Sequence, residues 1–184
     1  MIDAGELIAC LSERPVSMEA RSAAFFRGID IAHAMAGLTE LQSYLLRVKY
    51  ADQRTWIKDL DRRTWMAIVD MWVDNKWRYP KERKGQEFAR NMGRLALCES
   101  IWPHTCLRCG GWGNDIHQGK ITPCPSCNGS GRSIPNSSIR SHYMGMEESL
   151  WEAHWADYYK QIQKMLEDEE SYGLGKMVRR LFAA

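Results

Sequence analysis

Four of the six cysteines fall within 22 residues, as Cys106-Leu-Arg-Cys109-Gly-Gly-Trp-Gly and Cys124-Pro-Ser-Cys127-Asn-Gly-Ser-Gly, two copies of C-x-x-C-x-G-x-G. Two residues between cysteines let one tight turn present both sulfurs to a single ion, and the glycines that follow supply the positive φ such turns need. Two pairs give the four corners of a tetrahedron, and the 14 residues between them, 110 to 123, are enough to fold back. Crowding of this kind points to metal rather than to a disulfide framework. The expected cofactor is therefore one structural zinc ion on Cys106, Cys109, Cys124 and Cys127. With all four positions taken by thiolates, the site has no opening for water or substrate.

Other chemistries for these residues fail on their own requirements. Pro123 to Cys127 matches the P-C-x-x-C half of a zinc deaminase, but none of the five histidines begins the H-x-E half that supplies a ligand and the general acid/base. A redox C-x-x-C needs a βαβ setting, which the surrounding sequence lacks. Gly113 to Lys120 is one residue too long for a phosphate loop, and Ile121 stands where a hydroxyl residue is required. No nucleophile–base pair is evident either, so the chain reads as a non-enzyme. Cys10 and Cys98 lie in apolar surroundings and read as small buried hydrophobes.

A chain of 184 residues, 45% hydrophobic and 26% charged, has enough material for a core without disulfides. No apolar run reaches the ~18 residues of a membrane span. The first ten residues carry acids where a signal peptide has a basic region, so a soluble, cytoplasmic protein is expected.

Outside residues 103 to 135 the periodicity is helical. Ser17 can cap a helix through Phe25 and Ile29. Thr39 and Gln42 have capping-box spacing before Leu41, Leu45 and Leu46. Trp65, Ile68, Val69, Trp72, Val73 and Trp77 form an apolar stripe that Tyr79-Pro80 ends. The next helix is expected to turn Phe88, Met92, Leu95 and Trp102 inward. Residues 103 to 135 hold six glycines, four prolines and four cysteines with almost no amphipathic period, so they need a cross-link in place of a core. After them, Asn136 or Ser137 can cap a short helix that Gly145 ends. Ser149 and Glu152 have capping-box spacing before the stripe Trp151, Trp155, Tyr158, Ile162 and Met165, which Gly173 and Gly175 interrupt. The expected fold class is all-α with a small four-cysteine zinc-knuckle insertion.

The formal charge of +2 hides an uneven distribution. Residues 78 to 142 carry a net +6 and the rest a net −4. Basic residues bracket the knuckles, as expected of a footprint on phosphates. The segment Asn136-Ser-Ser-Ile-Arg-Ser-His-Tyr143 adds groups that suit phosphates and base edges, with Arg140 able to pair bidentately with guanine. The candidate DNA-binding residues are Lys81, Arg83, Lys84, Arg90, Arg132, Ser137, Ser138, Arg140, Ser141 and His142. The acidic run Glu167 to Glu170 reads as a solvated helix face, with a basic protein partner as the functional alternative. Trp112, set among glycines, reads as exposed or packed on the knuckles.

A helix ending near Ile101, two C-x-x-C-x-G-x-G knuckles, then Arg132-Ser-Ile-Pro135 with Ser137 and Arg140 leading a short helix, resembles the Q-type transcription antitermination proteins of lambdoid phages. It is similar also to their bacterial relatives of the AlpA kind. The similarity covers residues 81 to 182. The cysteine-rich domain of DnaJ-type chaperones uses the same knuckle but in four copies, beside a His-Pro-Asp motif and a Gly/Phe-rich linker that are not found here. The resemblance implies a helix-turn-helix-like DNA-binding unit interrupted by the zinc module, with helices near 82 to 101 and 136 to 145. It implies binding to double-stranded DNA near a promoter and loading onto paused bacterial RNA polymerase that still holds its σ factor. Pauses and terminators are then read through because the RNA exit path is restricted. The implied organisation is an N-terminal helical region (1 to 80), a zinc-containing DNA-binding region (81 to 146) and C-terminal helices packing on the body (147 to 184). The rival readings are a zinc-containing DNA-binding regulator of transcription initiation and a DnaJ-like polypeptide-binding module.

Overall fold

A computed structural model describes the backbone of residues 28–74, 83–117 and 120–182, and the side chains of 32–74, 85–115 and 120–182. The Ser17 cap, Cys10, Trp77 and the Tyr79-Pro80 break lie outside the described residues. Those described are mostly helical: α1 (Gly28–Met35), α2 (Glu40–Tyr50), a 3-10 turn (Arg54–Trp56), α3 (Ile57–Asp74), α4 (Arg83–Ile101), α5 (Ser137–Tyr143), α6 (Glu148–His154) and α7 (Ala156–Phe182). Between α4 and α5 lies one antiparallel hairpin, β1 (Asn114–His117) with β2 (Lys120–Pro123), in which Asn114 pairs with Pro123 and His117 with Lys120. The chain divides into two compact units, one of residues 1–75 and 165–184, the other of residues 76–164.

In the first unit, α2 begins at a complete capping box. Thr39 Oγ1 accepts from the Gln42 N–H at 3.2 Å, and Gln42 Oε1 accepts from the Thr39 N–H at 3.1 Å. The core gathers Ala34, Met35, Leu46 and Ala51 with Met177 and Leu181 from the end of α7. Helix α3 buries Leu60, Thr64, Ile68 and Trp72, one residue per turn, whereas Val73 is 69% exposed. The buried stripe is narrower than the sequence pattern, because Val73 falls on the flank of the face that Ile68 and Trp72 occupy.

Two expectations for α7 change. Gly173 does not interrupt it. A Cβ at that position would lie 3.1 Å from Leu46 Cδ1 and 3.4 Å from Gln42 Cβ, so the glycine lets α7 approach α2 closely. The acidic run is only half solvated: Glu167 and Asp168 are exposed, while Gln42 donates to Glu169 at 2.8 Å, and Lys49 (2.7 Å) and the Tyr50 hydroxyl donate to Glu170. These bonds fix one register of α7 against α2.

In the second unit, α4 turns Ala89, Met92, Leu95 and Ala96 fully inward. Trp102 lies one residue past the end of that helix and is 36% exposed, so it is not part of the helical stripe. Phe88 packs on Trp155 with ring centroids 4.6 Å apart, and Trp151 packs edge-on to Tyr159 at 5.3 Å. Ser149 is not a cap: α6 starts at Glu148 after Glu147, whose side chain makes no capping bond, and the chain bends at Trp155 before α7 begins. Helix α5 starts as expected, with Asn136 Oδ1 accepting from the Ile139 N–H at 2.9 Å, and it ends before Gly145 at φ 69°.

Candidate metal centre

The two knuckles are related by a shift of 18 residues, and each completes the other. The Cys106 N–H donates to Gly131 O at 2.9 Å, and the Cys124 N–H donates to Gly113 O at 2.8 Å. Where the two turns cross, a Cβ on Gly113 would sit 2.3 Å from Gly129 O, and one on Gly131 would sit 2.3 Å from Gly111 O. Only glycine allows that approach, and both residues also have positive φ (75° and 70°). The hairpin joins the knuckles, and Thr105 pairs with Arg132 across the base of the module. The Ser133 N–H donates to His104 O at 3.2 Å beside this pair, so the insertion leaves α4 and returns toward α5 at neighbouring points.

This crossing gathers Cys106, Cys109, Cys124 and Cys127 with their four sulfurs all within 4.8 Å of one another. Cys106 Sγ lies 4.0 Å from Cys124 Sγ, and Cys109 Sγ lies 3.8 Å from Cys127 Sγ. A disulfide needs about 2.05 Å. Sulfurs about 2.3 Å from a shared central ion at tetrahedral angles stand about 3.8 Å apart, so the cluster can hold a metal ion. The Gly113 N–H donates to Cys109 Sγ at 3.2 Å and the Gly131 N–H to Cys127 Sγ at 3.3 Å, which favours the thiolates a metal requires. Burial raises the Cys109 thiol to about 11, helped by the Cys106 and Cys127 sulfurs and opposed by the Gly113 N–H. Burial acts to raise Cys127 as well, but there the Gly131 N–H and the neighbouring sulfurs outweigh it and bring the thiol to about 7. Among the described residues of the module the hydrophobic cluster consists of these cysteines alone, so the sulfur cluster stands where a core would be. Cys98 is separate: it is half-buried on α4, and burial followed by the charge of Glu99 pushes its thiol up.

The candidate DNA-binding residues have different settings. Lys81 lies outside the described residues, and Arg83 and Lys84 belong to α4 with side chains outside the described ones. Arg90 is exposed on α4, and Arg132 is exposed at the base of the knuckles. Ser137 donates to Glu152, and Ser141 is buried with its hydroxyl donating to Ser138 O at 3.0 Å. Ser138 and His142 are exposed and line a groove of about 190 Å³ with Arg108 and Ser126 of the two knuckles. Arg108 is held there by Asp115, at 3.0 Å.

Arg140 faces the other way. Its Nε donates to Glu99 Oε1 at 3.0 Å and its Nη2 to Glu99 Oε2 at 2.8 Å, and its guanidinium lies 4.9 Å from the centre of the Tyr159 ring. Gln163 donates to the same carboxylate at 2.9 Å. The Glu99 side chain is only 6% exposed. Burial acts to lower the Arg140 pKa, but the bonds to and charge of Glu99 outweigh it and raise the value. Burial and then the Glu99 charge raise that of Tyr159. Glu99 thus fastens α5 to α4 and α7, a role the sequence did not reveal because its partner is 41 residues away. Among the described residues, no helix is long and apolar enough to cross a membrane. No protein-family model matches the chain, and no curated protein matches it in sequence.

Proposed function

We propose that this chain is a zinc-containing, DNA-binding transcription factor of the antitermination kind, with one zinc ion held by Cys106, Cys109, Cys124 and Cys127. Four thiolates with no fifth ligand stabilise and orient; they do not catalyse. The observation that carries the reading is the groove in which Ser138 and His142 of α5 stand beside Arg108 and Ser126 of the knuckles. Knuckles and helix bring these polar groups to one surface, beside Leu107, Ile139 and Tyr143, within a segment rich in basic residues. The resemblance of residues 81 to 182 to Q-type proteins supplies the finer part: a helix-turn-helix-like pairing of α4 and α5 on promoter-proximal DNA, and delivery to RNA polymerase that still carries σ. Arg140 then acts as a positioning residue that sets the angle of α5, while Ser138 and His142 face the duplex.

The test is a mobility-shift titration of the zinc-loaded protein against duplexes tiled across the promoter nearest its gene. One tile is expected to be bound in preference to the others, and His142→Ala is expected to weaken that tile by about five- to a hundredfold while leaving zinc content intact. Equal binding of all tiles by the native protein, unchanged in His142→Ala, would remove the groove from the account.

A further inference from the structure

The two knuckles provide an internal control on what the zinc fold itself requires. Eighteen residues after Trp112, at the equivalent position of the second knuckle, stands Ser130, whose backbone N–H bonds to Cys127 O at 3.0 Å just as that of Trp112 bonds to Cys109 O at 3.1 Å. A serine serves there, so the turn needs no aromatic side chain. Nor does the module bury one: Trp112 is 78% exposed, and among the described residues only cysteines form the module's cluster. An indole held out to solvent on a rigid turn offers an aromatic face that a ligand can cover.

Its surroundings indicate what does. Next to Trp112 the backbones of Gly111 and Gly131 touch, and Arg132 follows directly after that contact. A crevice of about 480 Å³ opens at Gly111, the residue before Trp112; Trp102, His104, Ser130 and Arg132 also line it, and Trp112 stands beside it rather than in its wall. Among the described residues no carboxylate lines it, and Arg132 and His104 are exposed. Crevice and neighbouring indole together therefore join aromatic faces, a guanidinium and an imidazole. That combination is the one single-strand binding uses, an aromatic face for a base and a cation for the adjoining phosphate.

We propose that this crevice and the exposed indole beside it bind single-stranded nucleic acid, with a base stacked on Trp112 and the adjoining phosphate at Arg132. The site is separate from the groove on α5 and does not rest on the duplex-binding reading. Single-stranded RNA and an unpaired DNA strand share this chemistry. They differ at the 2′-hydroxyl, for which His104 provides a polar group.

Anisotropy of fluorescein-labelled dT12 and rU12 on the full-length, zinc-loaded protein tests this. Trp112→Ala is expected to weaken both oligonucleotides about tenfold or more at unchanged zinc content, and Trp112→Tyr to stay within about threefold of the native protein. Arg132→Gln is expected to reduce the salt slope by about 0.7. A preference for rU12 over dT12 assigns the site to RNA, and equal affinity assigns it to either strand type. Native-like oligonucleotide binding by Trp112→Ala, or no binding by the native protein, overturns the proposal. So does a Trp112-dependent capture of reduced, carboxymethylated lactalbumin without oligonucleotide binding, which assigns the crevice to polypeptides. A duplex titration run in parallel shows whether the α5 groove works independently of these outcomes.

Discussion

Replacing Arg140 with alanine separates two roles for that residue. A guanidinium that reads a base affects only DNA affinity, whereas the structure gives it two charge-assisted bonds, at 3.0 and 2.8 Å, to a carboxylate that is 6% exposed. Its removal leaves Glu99 buried with Gln163 as its remaining donor partner. Breaking a buried ion pair from one side costs about 3 to 5 kcal/mol. The Arg140 side chain is itself 22% exposed, so water can enter its place and the lower end, about 3 kcal/mol, is expected. With a urea m-value of about 2 kcal/mol per molar, the unfolding midpoint falls by about 1.5 M. The assay is urea unfolding of zinc-saturated protein followed by tryptophan fluorescence. Glu99→Leu, Arg140→Leu and the double variant Glu99→Leu/Arg140→Leu complete a cycle with the native protein, and the double variant is expected to recover part of the loss because it leaves neither charge stranded. An Arg140→Ala protein that unfolds at the native midpoint while losing discrimination between DNA sequences would refute the positioning role.

Other predictions follow from single contacts. Gly113→Ala drives a Cβ to 2.3 Å from Gly129 O and is expected to lower zinc affinity by at least a hundredfold; Gly110→Asn meets open space and copies Asn128 of the other knuckle, so it is expected to stay within about threefold, both read by competition with a chromophoric chelator. Zinc affinity in that assay is expected to rise from pH 6 to pH 8, since Cys109, raised to about 11 in the metal-free protein, must lose its proton to bind; a flat profile would count against thiolate ligation. Glu170→Ala removes the acceptor of both Lys49 and Tyr50 and is expected to cost about 1 to 3 kcal/mol in urea unfolding, whereas Glu167→Ala, on the exposed part of the run, is expected to change it by less than about 0.5 kcal/mol.

What was legible in the sequence is what is local. The Thr39 box, the Asn136 cap, the stop at Gly145 and the four-cysteine cluster each depend on residues a few positions apart, or on a motif repeated within one short segment. The errors arise where distant residues decide. Gly173 reads as a helix interruption until Leu46 is seen to need the space above it. Glu169 and Glu170 read as solvated until α2 supplies Gln42, Lys49 and Tyr50. Glu99 carries no local sign of being buried. The β hairpin is hidden because its two strands are only four residues long and β2 is exposed throughout, so no alternating pattern marks it. Trp112, an indole set among glycines, reads from the sequence as exposed or packed on the knuckles, and it is exposed.

The central claim, that a zinc-ordered surface delivers this protein to transcribing polymerase, is tested most directly by transcription in vitro. Polymerase holding σ would be started from the promoter nearest the gene and run across an intrinsic terminator, with and without the zinc-loaded protein. The account predicts read-through that requires that promoter's DNA and is lost in Cys109→Ser. Termination unchanged by a protein that binds the same DNA specifically would contradict it and make the chain a regulator of initiation.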